Sequence, residues 1–180
     1  MPRCVQGDGL YNIPKSGTVF VSSMGDMWGE WVPEHWIIKV LDFIVNSPKA
    51  TFLFLTKNPA RYHEFLPLPE NSIAGATIET NQADLLVNNA PEPGDRYLAM
   101  KTLKHPRKFL SIEPIMRFDL KVLVEWVQAI APEFVYIGYD NHNHHLPEPS
   151  KVEVGRLVYA LSLITEVRLK TIRECWNAPD

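Results

Sequence analysis

The chain has 180 residues, 46% of them apolar and 22% charged, with a formal net charge of -3. That length suits one domain able to bury its own core without disulfides or a structural metal. The charge excludes an overall basic field of the kind a general nucleic-acid binder carries, and no apolar run approaches the ~18 residues of a membrane span. The opening stretch, MPRCVQGDGLYNIPK, lacks the apolar core of a secretory signal, so the expected location is cytoplasmic. There Cys4 and Cys175 are reduced thiols, and neither belongs to a metal-binding cysteine cluster.

Residues 1–16 read as irregular, and residues 17–180 as one domain. The first predicted strand is Thr18–Ser23, followed by a helix over Glu34–Asn46 with Pro33 at its start and a stripe of Trp36, Ile37, Val40, Leu41, Ile44 and Val45. A strand over Thr51–Thr56 leads into a helical segment at Asn58–Phe65, opened by Pro59. Ser72–Glu79 is the third strand, and Pro93–Leu103 a further helix. The remaining strands are Lys108–Glu113, Phe134–Tyr139 and Glu166–Thr171, separated by helices over Leu120–Ile130 and Ser150–Leu163. Ser150 with Glu153 three residues on forms a capping-box signature.

Several strands are apolar almost throughout, which fits strands covered on both faces. Strands alternating with helices imply parallel pairing through right-handed crossovers. Six units are too few for a regular eight-stranded barrel, so the fold expected is α/β, either an open partial (β/α) barrel or a doubly wound sheet.

In such a fold the carboxyl ends of all strands lie on one side, and polar residues follow each of them. Ser22, Ser23 and Asp26 follow the first strand; Thr56, Lys57 and Asn58 the second; Glu79, Thr80 and Asn81 the third. Ser111 and Glu113 end the fourth, Asp140, Asn141 and His142 the fifth, and Lys170, Thr171 and Arg173 the sixth. Helix capping accounts for many of these, but not for Lys57, Glu79, Glu113 and Lys170, which are poor caps. Two carboxylates and two ammonium groups brought together need each other or a ligand, so these four read as a polar site.

The run from Asp140 to His145 contains His142, His144 and His145, good ligands for zinc, iron or nickel, but its spacing matches no closed tetrahedral motif. The segment reads as a Pro-bounded loop, and histidines on a solvated loop usually mean no more than that. Between Asp26 and Trp36 the stretch DMWGEWVPEHW reads either as a stacking platform for a planar ligand or as loop and helix core. Ser-Met-Gly-Asp at 23–26 is not a phosphate-binding pattern, and neither G-x-G-x-x-G nor G-x-S-x-G occurs.

Taken in order, VFVSSMGDMWGEWVP, FLFLTKNPARY, GATIETN, FLSIEPIM and VYIGYDN resemble the phage-type branch of the radical S-adenosylmethionine (SAM) superfamily. The resemblance runs from about Gly17 over nearly the whole chain. It implies a partial barrel of about six strands with SAM across the carboxyl ends and a 4Fe–4S cluster that cleaves it. On that resemblance Ser23 and Asp26 approach the methionine amino group, and Glu79 and Asn81 the ribose. Glu113 and Asp140 lie deeper along the cofactor or substrate side, and Lys57 pairs with the SAM carboxylate or with substrate. The catalytic candidates are then Lys57, Glu113, Asp140 and Lys170, with substitution of Glu79 or Glu113 expected to affect ligand more than folding.

The superfamily's C-x3-C-x2-C cluster loop is absent from this sequence, and two cysteines cannot replace it. Three readings stay open. The chain is the carboxyl-terminal part of a longer radical enzyme, as an opening without a strand before Thr18 suits; or a cluster-less protein that keeps a SAM- or nucleotide-type site; or a metal-assisted hydrolase using Glu79, Glu113, Asp140 and the histidine loop. The expected partner is a small cofactor or nucleotide-like ligand, nucleic acid has no support from charge, and an exposed sheet edge invites self-association.

Overall fold

The structure, a computed structural model, describes residues 16–85 and 89–176. The irregular segment expected at 1–16 therefore lies outside the described residues except for Ser16, as does Cys4.

Six strands form a single parallel sheet in sequential order: β1 (Gly17–Phe20), β2 (Ala50–Thr56), β3 (Ser72–Thr77), β4 (Lys108–Ile112), β5 (Phe134–Ile137) and β6 (Glu166–Leu169). The helices are α1 (Glu34–Val45), α2 (Pro93–Thr102), α3 (Leu120–Ile130) and α4 (Lys151–Ser162), with short 3₁₀ segments at Pro59–Phe65 and Ala83–Leu85. Sequential order without a reversal is the winding of a barrel, and six strands curl into half of one. Of the two architectures the sequence allowed, the open partial barrel is the one adopted.

Alternation along the strands divides the residues between two faces. On the convex side Phe52, Phe54, Ala74, Ala76, Leu110, Ile112, Val135 and Ile137 join Ile37 and Ile44 of α1, Met100 of α2, Leu123 and Val127 of α3 and Leu157 of α4 in the main core. On the concave side Leu53, Ile73, Phe109 and Phe134 make a second apolar cluster, with Leu55 and Tyr136 against it. The Phe109 and Phe134 rings stack at 5.0 Å. Gly75 is needed here: a Cβ at that position would collide with the Phe109 ring and stand 2.6 Å from the Phe54 carbonyl oxygen.

Register carries the concave rows upward. Thr77 pairs with Ser111, Ser111 with Tyr136, and Tyr136 with Arg168. Two residues further along the chain the alternation brings Glu79, Glu113, Gly138 and Lys170 to the same face. The concave face thus runs from an apolar amino-terminal end to a charged carboxyl-terminal one.

Predicted strands overran the observed ones by one to three residues, at the carboxyl ends of five of the six. Several of those residues still donate to the neighbouring segment, Val21 to the Leu53 carbonyl, Ile78 to Ser111 and Tyr139 to Thr171, whereas Ser22 adopts φ 57° and ends the first strand. The segment at Asn58–Phe65, expected as a helix, is the 3₁₀ helix Pro59–Phe65. The capping box at Ser150 and Glu153 is present in both directions.

Candidate functional site

A cleft of about 700 Å³ opens above the carboxyl ends of β1, β2 and β3, lined among others by Asp26, Glu30, Trp31, Lys57, Glu92 and Asp95. The loop after β1 forms one part of it. Asp26 organises that loop: its carboxylate accepts from the Trp28 amide at 2.9 Å, the Thr56 hydroxyl at 2.8 Å and the Lys57 amide at 3.0 Å. One side chain so ties the β1 loop to the end of β2, and its oxygens are largely spoken for by these internal donors.

The tryptophan-rich stretch splits between its two readings. Trp28 is fully buried and packs edge-on against Phe54 at 5.2 Å, Tyr62 at 4.5 Å and Phe65 at 5.7 Å. Trp36 packs against the core from α1. Trp31 instead stands 67% exposed at the cleft. Arg61, buried, donates from Nη1 to the Gly29 carbonyl and from Nη2 to the Val32 carbonyl at 2.6 Å, holding the backbone on both sides of Trp31.

Glu79 and its partners form the charged centre. The Lys57 ammonium donates to Glu79 Oε1, and Arg96 Nη1 donates to Glu79 Oε2 at 2.5 Å. Arg96 is wholly buried; its Nε donates to the Pro91 carbonyl at 2.7 Å and its Nη1 also to the Thr77 carbonyl at 3.0 Å. Its Nη2 is buried without an acceptor. Lys57 keeps 35% of its side chain exposed, so the network runs from the interior to the cleft.

The other expected site residues fall into separate groups. Glu113 accepts from the Lys170 ammonium at 2.6 Å across Gly138, where a Cβ would meet Glu113 Oε1 at 3.1 Å. Asp140 accepts from the His142 amide at 3.1 Å, the His144 amide at 2.6 Å and the His144 ring at 2.9 Å. Burial pushes the Asp140 carboxyl up, but these amide bonds and the His144 ring outweigh it and hold it down at about 2. Asp140 and His144 are spent on each other. His142 and His145 stand on the exposed part of that loop, and among the described residues no three His, Cys, Asp or Glu side chains gather into a group that could hold a metal ion.

Asn81 closes on the backbone of Asp119, donating to its carbonyl and accepting from its amide at 2.9 Å each. Ser23 is exposed in the turn after β1, outside the cleft lining. Cys175 is free, half-buried and packed against the main core.

Arg96 and Glu148 escaped the reading of the sequence. Arg96 sits within a helix pattern like any solvated arginine, and only the fold shows that it points inward. Glu148 lies in a Pro-bounded loop. It accepts a two-point bond from Arg173, at 2.6 and 3.0 Å, while the Arg173 guanidinium lies 3.3 Å from the Trp176 ring centroid. Arg173 Nη2 also donates to the Asp140 carbonyl at 2.8 Å, so this clamp braces the end of β5.

No helix among the described residues is long and apolar enough to cross a membrane. No curated protein and no solved structure matches the chain. Residues 8–131 match the family model described as a protein of unknown function (DUF5131), and the chain belongs to that family.

Proposed function

We propose that this half-barrel is the cofactor-binding face of a radical SAM-like protein of the cytoplasm, taking an S-adenosylmethionine-type ligand in the cleft above β1–β3. The observation that carries the reading is Lys57: an ammonium fixed by Glu79 on one side, open to a cleft of about 700 Å³ on the other, with an exposed indole nearby. An ammonium has three donors, and Glu79 engages one of them. Lys57 would take the carboxylate of the ligand's amino-acid arm, and Trp31 would offer a ring face to its adenosyl part. A volume in this range is that of a small-molecule site, and the position at the carboxyl ends of parallel strands is where ligands of α/β folds sit.

In such proteins a reduced 4Fe–4S cluster held by three thiolates would supply the electron that splits SAM into methionine and a carbon radical. This chain does not fit that cluster, since its cysteines are Cys4 and Cys175 alone and Cys175 packs into the core. In this reading the residues described bind and orient the nucleoside, and the cluster's thiolates come from other polypeptide. Where no other polypeptide supplies them, the same cleft makes the protein a binder of the nucleoside.

The test is ligand-linked stability. SAM at a hundredfold excess over its dissociation constant should raise the unfolding free energy by about 2.7 kcal/mol. An unfolding midpoint that stays fixed across millimolar SAM, S-adenosylhomocysteine and adenosine sinks the reading.

A further inference from the structure

β6 is one edge of the sheet: among the described residues β5 is its single strand neighbour. The Lys170 amide donates to the Ile137 carbonyl at 2.9 Å, so alternation turns the amide and carbonyl groups of Val167 and Leu169 outward, away from β5. Such an edge accepts another strand unless a proline, a bulge or a run of like charge blunts it. β6 has no proline, and its register with β5 is unbroken from Glu166 to Leu169. Its two charges are of opposite sign, Glu166 and Arg168, bonded to each other at 2.8 and 3.0 Å. Leu163, Ile164 and Leu169 stand exposed beside that edge, and Val152 and Tyr159 on the outer face of α4.

We propose that β6 pairs antiparallel with β6 of a second copy of this chain, about a two-fold axis at Val167. Charge decides both the partner and the register. Centring the pair on Glu166 sets two carboxylates opposite each other, centring it on Arg168 sets two guanidinium groups opposite, and centring it on Leu169 sets Arg168 against Lys170. The axis at Val167 instead puts Glu166 of each copy opposite Arg168 of the other, on both sides of the axis. It also joins the outward-facing groups of the two Val167 residues and brings each Leu169 opposite Thr165 of the other copy, next to its exposed Ile164. β1, the other edge, has the sequence GTVF and offers no charge to complement β6. Pairing β6 with β1 is moreover head-to-tail, which does not close at two copies.

Sedimentation equilibrium of the full chain at low salt should show a monomer–dimer equilibrium at concentrations up to about 0.1 mM. E166R and R168E each set like charges opposite across the axis, and each should raise the dissociation constant about tenfold or more. Mixed in equal amounts, the two variants carry complementary strands and should form a heterodimer as tight as the parent, which an unfolded variant cannot do. L169K, which alters neither charge of the pair, should also weaken the parent dimer. A parent that stays monomeric, open polymers in place of dimers, dimers indifferent to both charge reversals, or folded variants that fail to pair on mixing would overturn the proposal.

Discussion

Arg96 Nη1 reaches Glu79 Oε2 at 2.5 Å, and both side chains are withdrawn from solvent. A helix residue and a strand-end residue are so locked together beneath the cleft. Removing one member of a buried pair leaves the other charge without compensation, which costs about 3–5 kcal/mol. Glu79 is therefore part of a buried pair whose loss acts on the fold as well as on any ligand held by Lys57. Glu79→Gln should lower the unfolding free energy by about 3 kcal/mol, read by urea denaturation. A change under about 1 kcal/mol would show that Arg96 finds another partner.

Glu113 stands in a different position. Its partner Lys170 is 45% exposed, and exposed pairs contribute little. Glu113→Gln should leave stability within about 1 kcal/mol of the parent, by the same denaturation series. A loss comparable to that of Glu79→Gln contradicts the assignment of this pair to the wetter part of the concave face.

Asp140 makes a pH prediction. Its folded-state carboxyl is held below the ordinary 3.8, at about 2. A depressed acid adds stability above its unfolded value, and that share is lost as pH falls from about 4 through about 2. The parent should therefore lose about 1 kcal/mol more than Asp140→Asn over that window. Parallel pH profiles for the two proteins would mean that the carboxylate charge does not hold the histidine loop.

At Gly75 the prediction is steric. Gly75→Ala drives a methyl into the Phe109 ring and against the Phe54 carbonyl, on a strand buried on both faces. Overpacking of this kind costs about 1–3 kcal/mol, measurable as a lowered midpoint. The variant Gly75→Ala/Phe109→Leu should recover part of the loss, and failure to do so places the obstruction at the backbone instead.

Much of this architecture was legible in the sequence because apolar runs bounded by proline and polar clusters leave few alternatives. Phe52–Leu55 and Ile73–Ala76 cannot be solvated, and the stripe Ile37–Ile44 must face them. The strand ends were less legible. Ser22 looks like a strand continuation, yet it takes a left-handed backbone. Position after the strands singled out four charged residues, but not how each is paired. Lys57 and Glu79 pair across β2 and β3, Glu113 and Lys170 across β5, and Arg96 enters from a helix whose pattern gives no hint of burial. Side-chain pairing of that kind depends on register and helix rotation, which local sequence does not encode.

Lys57 tests the central claim, because Arg96 still compensates Glu79 when it is removed. The measurement is calorimetric titration of S-adenosylmethionine onto the parent protein and Lys57→Met, each first shown to be folded. Saturable one-to-one binding to the parent, weakened about tenfold or more in Lys57→Met, is the predicted result for a lost charge-assisted bond. No heat with the parent, or equal affinity for both proteins, would contradict the assignment of this cleft to the ligand.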